Sequence, residues 1–319
     1  MRRICLAFAM TALAAGGCAR EEATAVVTEP KQLVAVSLPS LDDPYYQAMA
    51  KGLVTSSRGA EVEFRTTDSQ GDAARQEAQV RDFIAQKVAA IVVCPCDSRA
   101  IGSAIQEANR AGIPVFTVLV PCRAPGAQVA AHVGTDHYQG GKLAARVMIR
   151  ALGTVGGRVA VIENRSAEAF GLRVKGFREA IDCHNRKAKG ATITVVAEVP
   201  GGGSEDQGRA AAQDLLKAHP DLAGIFAADD PSTRGARAAL QQAGIDRVKL
   251  VGFDERCDLR RWVRQGQMRF PDAQHPELLA QQVGEVVGRH LMGMKTAPEV
   301  LVPPDLVCCN TGEDTDLAP

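Results

Sequence analysis

AIVVCPCDSRAIGSAIQEANRAGIPVFTVL, residues 90–119, holds the reading that decides the fold. A wholly apolar run, Ala90–Cys94, gives way to a helical pattern over Ile101–Ala111. Gly112 and Pro114 then punctuate the chain before a second apolar run, Val115–Leu119. Runs that are apolar throughout, rather than alternating, belong to strands covered on both faces, which means parallel strands with crossover helices. Gly just past a helix suits a left-handed C-cap, and Pro is tolerated at the start of a strand. Residues 90–119 are therefore read as one strand–helix–strand unit.

The same unit recurs in both directions. Strands are predicted at Leu33–Leu38, Val62–Thr66, Val159–Ile162, Ile193–Val199, Gly224–Ala227 and Leu250–Phe253. Helices are predicted at Asp72–Gln86, His137–Ala151, Ala167–Ile181, Asp206–Ala218, Ser232–Ala243 and Glu277–Met292. The fold class is α/β with parallel sheets. Val129–Val133 and Arg269–Gln274 read as extra connections that interrupt the series, which favours two open sheets in two lobes over one closed eight-fold barrel.

The chain of 319 residues carries 37 basic and 37 acidic side chains, so no net charge is available to hold a polyanion, and nucleic acid is not an expected partner. Arg2 and Arg3, the apolar stretch from Ile4 to Ala15, and Gly16-Gly17-Cys18 have the layout of an export signal ending in a lipobox, with Cys18 as the lipid-carrying N-terminus. Residues 1–18 are read as that signal and 19–31 as a polar tether, so the membrane is touched only through a lipid anchor. Export means an oxidising compartment. Nine cysteines, less Cys5 and Cys18, leave an odd number in the mature chain. Cys96 and Cys122 follow adjacent predicted strands, about 4.8 Å apart in a sheet, and a disulfide between them is the preferred reading. The alternative is a zinc site on Cys94, Cys96, Cys122 and His132, which lacks zinc-finger spacing.

In open parallel sheets, ligands bind outside the carboxyl ends of the strands. Those positions carry Asp42-Asp43-Pro44-Tyr45-Tyr46, Asp68, Asp97, Asp136, Glu163-Asn164-Arg165, Asp229-Asp230 and Asp254-Glu255-Arg256. Carboxylates with a few aromatic rings suit a neutral polyhydroxy or cationic small molecule. Asp after a strand is also a common helix N-cap, the reading preferred for Asp72 and Asp97. Neither G-x-G-x-x-G nor a P-loop appears, so no nucleotide cofactor is expected, and no metal.

Leu41-Asp42-Asp43-Pro44-Tyr45-Tyr46, Ala111-Gly112-Ile113-Pro114-Val115, Gly134-Thr135-Asp136 with Gly140-Gly141, and Arg173 with Gly176-Phe177 occur in that order. Ala218-His219-Pro220-Asp221, Phe226-Ala227-Ala228-Asp229-Asp230 and Val251-Gly252-Phe253-Asp254 continue it. In this set and spacing, residues 32–310 resemble the ribose-type periplasmic sugar-binding proteins, the solute receptors of ABC importers. The resemblance implies a monomer of two Rossmann-like lobes, 32–135 plus 275–304 and 136–274 plus 305–312, joined by three crossovers. One sugar would sit between them, for delivery to an ABC permease from the periplasm or cell envelope. It implies first-lobe contacts from Asp43, Tyr45 and Tyr46, and second-lobe and hinge contacts from Arg173, Asp229, Asp254 and Gln274. Leu119 and Val120 stand where the family has an Asp-Arg pair, Gly201–Gly203 where it has an aromatic, and Asp229 where it has Asn, so a sugar other than ribose is expected. A cysteine- or zinc-dependent enzyme on the same frame, and a ligand sensor uncoupled from import, are the alternatives.

Overall fold

The computed structural model describes residues 31–56, 61–165, 168–188, 190–253, 271–272 and 276–306. Strands β1 (Gln32–Leu38), β2 (Val62–Asp68), β3 (Ala90–Val93), β4 (Val115–Val118), β5 (Ala131–Thr135) and β11 (Glu299–Val302) form a six-stranded sheet, in the order β11-β5-β4-β3-β1-β2. Strands β6 (Gly157–Glu163), β7 (Ile193–Pro200), β8 (Leu222–Ala227) and β9 (Lys249–Val251) form a second sheet, in the order β7-β6-β8-β9. Every pairing in both is parallel. Two open sheets are two lobes, and the closed barrel is excluded. A short antiparallel pair, β10 (Pro271–Asp272) with β12 (Asp305–Leu306), completes the strands.

Every residue of β3 and β4 is buried, Thr117 included, as their almost wholly apolar runs demand. On one face of the first sheet, α1 (Pro44–Ser56) and α8 (Pro276–Leu291) contribute Met49, Leu53, Leu279 and Val283. On the other face, α2 (Ala73–Ala85) and α3 (Gly102–Arg110) contribute Val80, Phe83, Ile105 and Ala108. Each buried aliphatic side chain stabilises by roughly 1.5–3 kcal/mol. Cutting fully buried Phe116 back to Ala would cost about 3–5 kcal/mol. The second sheet is sandwiched likewise, by α4 (His137–Leu152) and α5 (Glu168–Lys187) on one face and by α6 (Glu205–Ala218) and α7 (Asp230–Gln242) on the other.

The structure departs from the sequence reading in three places. Residues 44–56, for which no helix was predicted, form α1. Pro44 opens it, where a missing N–H costs nothing, and Met49 and Leu53 repeat at helical spacing on the core side. Residues 129–133, read as a connection, overlap β5, which is a full member of the first sheet and pairs with both β4 and β11. Within Arg269–Gln274 the described part, Pro271–Asp272, is strand rather than plain connection.

Candidate functional site

At the carboxyl edge of the first sheet most carboxylates hold their own loops. Asp43 Oδ1 accepts from Tyr45 N at 2.8 Å, and Asp68 Oδ1 accepts from Gln70 N at 2.7 Å. Asp97 Oδ1 accepts from Arg99 N and Ala100 N at 2.7 and 2.8 Å, bonds that lower its pKa. Asp72 caps α2, as expected. Tyr45 and Tyr46 stand on the first turn of α1, edge to face with ring centroids 5.4 Å apart, and both are half-buried against the core. The Val120 backbone and the Tyr46 hydroxyl lie close enough to the Cys94 thiol to favour its ionised form. Burial nonetheless pushes that thiol up to about 12.

Leu119 ends β4 with φ +63°, a left-handed conformation that costs a residue with a Cβ. Its turn is closed by Val120 N donating to Val118 O at 2.7 Å. Leu119, Val120, Leu41, Tyr45 and Tyr46 are all partly buried against the same apolar cluster.

The second sheet's edge is polar and buried. Arg173, on α5, is only 5% exposed. Its guanidinium lies 3.7 Å from the Phe253 ring centroid and 5.1 Å from that of Phe170, a stacked placement that keeps it desolvated. Nη1 donates to Ala228 O at 2.9 Å and Nε to His137 Nδ1 at 3.3 Å. Burial, then the Arg173 and His132 charges, lower His137 to about 3, so the imidazole is neutral and can accept from Arg173. Two glycines bring α4 and α5 close enough for this. A Cβ on Gly141 would sit 1.9 Å from Arg173 O, and one on Gly176 would sit 2.1 Å from Tyr138 O.

Asp229, 3% exposed, caps α7 through Oδ1, which accepts from Ser232 N at 2.7 Å. Its other oxygen is buried with no hydrogen-bond partner among the described residues, as is Ser232 Oγ. A buried orphan acceptor costs about 1–3 kcal/mol, and such atoms mark places where something else binds. Asn164, 8% exposed at the end of β6, lies beside the Gly203 backbone.

The two edges meet. Arg123, beyond β4, pairs with Glu168, which opens α5 beyond β6, so the carboxyl end of one sheet is tied to that of the other. Asp136 N donates to Val302 O at 2.8 Å, and Asp136 Oδ1 caps α4 by accepting from Gln139 N at 2.9 Å, which fixes the crossing from β5 into the second lobe. His132, on β5, bonds Thr117 Oγ1 at 2.9 Å and is lowered to about 4, chiefly by burial and then by Arg123.

Of the residues singled out from the sequence, Asp43, Tyr45 and Tyr46 stand at the first edge, and Arg173 and Asp229 at the second. Asp254, Gln274 and Cys18 lie outside the described residues. The Cys96–Cys122 bridge is not formed, because both are free thiols. Cys96 Sγ lies 3.1 Å from Ser69 Oγ, whereas Cys122 packs against the α2–α3 side of the sheet. Among the described residues no group of three His, Cys, Asp or Glu side chains is placed to hold a metal. Phe170, on α5, packs on Arg173. Sequence reasoning named Asn164 only within the Glu163-Asn164-Arg165 edge segment and passed over Ser232. Both follow a strand of the second sheet closely, and that position was the available signal.

The profile described as the periplasmic binding protein domain matches residues 34–295. This chain belongs to the periplasmic binding protein family. Among its relatives, the ribose import binding protein of Salmonella typhimurium is 30% identical, over 83% of this chain and 86% of that protein. The D-apiose import binding protein of Paraburkholderia graminis is 28% identical, over 81% of each. A solute binding protein of an ABC transporter from Actinobacillus succinogenes, solved with bound D-allose, shares the fold with TM-score 0.71 and 26% identity, over 88% of this chain and 98% of that one. In this periplasmic binding protein the described helices include none long and apolar enough to cross a membrane.

Proposed function

We propose that the chain is an exported solute receptor that captures a small sugar or sugar-like molecule between its lobes and hands it, chemically unaltered, to an ABC importer. The carrying observation is that Arg173 and Asp229 are both buried at the second sheet's edge, and that the second Asp229 oxygen has no described partner. A donor fork and an acceptor held this way fit vicinal hydroxyls, each charge-assisted bond contributing about 1.5–3 kcal/mol. The half-buried rings of Tyr45 and Tyr46 fit the C–H face of a pyranose or furanose. Asp43, Asp254 and Gln274 complete the proposed contact set. The sugars named for the relatives support the ligand class, and the family supports a periplasmic or envelope location.

The proposal extends to lipid attachment at Cys18, to a monomer, and to lobes of 32–135 plus 275–304 and 136–274 plus 305–312 that close on the ligand, because only the shut state makes both sets of contacts. The test is a thermal-shift and calorimetry panel of pentoses, hexoses, deoxy sugars and cyclitols, with mass spectrometry of the recovered compound. Saturable binding with the compound unchanged supports the reading. Turnover, or indifference to every sugar, refutes it.

A further inference from the structure

The two edges differ in chemistry. On the second, Arg173, Asp229 and Asn164 are polar and buried. On the first, Leu41, Leu119 and Val120 are half-buried and, like Tyr45 and Tyr46, pack against the same apolar cluster. Several polar atoms near them are engaged within the first lobe: Asp43 Oδ1 accepts from Tyr45 N, Val120 N donates to Val118 O at 2.7 Å, and the Tyr46 hydroxyl lies against Cys94. Leu119 is held in a left-handed turn that favours Gly or Asn, yet a bulky aliphatic residue occupies it.

We infer that the solute is a deoxy sugar, or a comparably amphipathic polyol, that turns its hydroxyls to the Arg173–Asp229 edge and a methyl or bare C–H face to Leu119 and Val120. This rests on the reading of the interlobe cleft as a sugar site and narrows it. A hydroxyl pressed against Leu119 and Val120 would leave water without gaining a partner, whereas a methyl there gains apolar burial. Leu119 and Val120 are then the residues that set specificity.

Matched pairs that differ by one hydroxyl test this on the full chain by calorimetry: D-galactose with D-fucose, L-mannose with L-rhamnose, and D-ribose with 2-deoxy-D-ribose. In at least one pair the deoxy sugar is expected to bind about tenfold tighter or more. Leu119→Asn supplies an amide and suits the left-handed backbone, and Val120→Thr adds one hydroxyl at nearly constant shape. Either should shrink that ratio by about threefold or more. Two variants keep the test readable if one fails to fold, as checked by melting. Parent sugars binding as tightly as their deoxy partners in every pair would overturn the inference while leaving a sugar receptor standing. The same holds if the preference is unmoved in both variants. Failure of all six sugars, and of D-allose and myo-inositol, would remove the sugar-site reading and this inference with it.

Discussion

Asn at position 229 separates two tasks that one carboxylate performs. Oδ1 of Asp229 caps α7 on Ser232 N at 2.7 Å, and Oδ2 is buried with no described partner. Asn caps helices about as well as Asp, so Asp229→Asn keeps the cap and should leave the melting temperature nearly unchanged. It replaces the charged acceptor with a neutral amide, which removes about 1.5–3 kcal/mol of binding, or roughly 10- to 150-fold in Kd for a sugar hydroxyl. Asp229→Ala removes both functions. Loss of the cap costs about 0.5–2 kcal/mol, partly offset because no orphan oxygen remains, and each kcal/mol corresponds to roughly 2–4 °C in a chain of this size. Calorimetry with the best sugar from the panel, run beside thermal melts, reads both quantities. Unchanged affinity in Asp229→Asn would show that the unpartnered oxygen does not face the ligand. Equal melting temperatures for the Asn and Ala variants would show that relief of the buried oxygen fully offsets loss of the cap.

Gly141→Ala places a Cβ 1.9 Å from Arg173 O, so α4 and α5 must separate. Urea titration should show about 1–3 kcal/mol of lost stability, and calorimetry a weaker sugar affinity, because Arg173 moves with α5. For pH, burial with Arg173 and His132 holds folded His137 near 3 against 6.5 for an unperturbed imidazole, and burial with Arg123 holds His132 near 4. Both folded values are depressed, so the unfolded chain binds more protons. Stability is then complete above about pH 6.5 and falls as pH drops toward 4 and 3. Denaturation between pH 7.5 and 5 should give that slope, and His137→Gln should flatten it; an unchanged slope would deny His137 the role. Cys94, raised to about 12 and buried, should escape iodoacetamide in the native protein at pH 8, while half-buried Cys96, Cys122 and Cys183 label. Peptide mapping that found a Cys96–Cys122 crosslink in the exported protein would contradict the free thiols.

The α/β class, the parallel sheets and most helix spans were legible in the chain itself, because they depend on local pattern. Val92 and Val93 sit in a run with no polar residue, and Phe116 in one whose only polar residue is Thr117, so those strands had to be covered on both faces. Asp72 before Ala73–Ala85 marked a helix start through short-range chemistry alone. The roles of the edge carboxylates were not legible. Asp43, Asp68, Asp97 and Asp229 look alike as single residues after strands, and only folded geometry shows which oxygens are consumed by backbone N–H groups and that the second oxygen of Asp229 is buried without a described partner. Helix α1 was missed because its polar first turn, the segment quoted for the site, masked the spacing of Met49 and Leu53. β5 was missed because its membership in the sheet comes from pairing with β11, more than 160 residues further along the chain. The apolar character of the first-lobe rim was likewise decided in three dimensions, since Leu41, Tyr46, Cys94, Leu119 and Val120 are brought together only when three parallel strands end side by side. Local propensity and burial pattern act over a few residues and survive in the sequence. Which atom is left without a partner depends on every chain segment that folding brings near it.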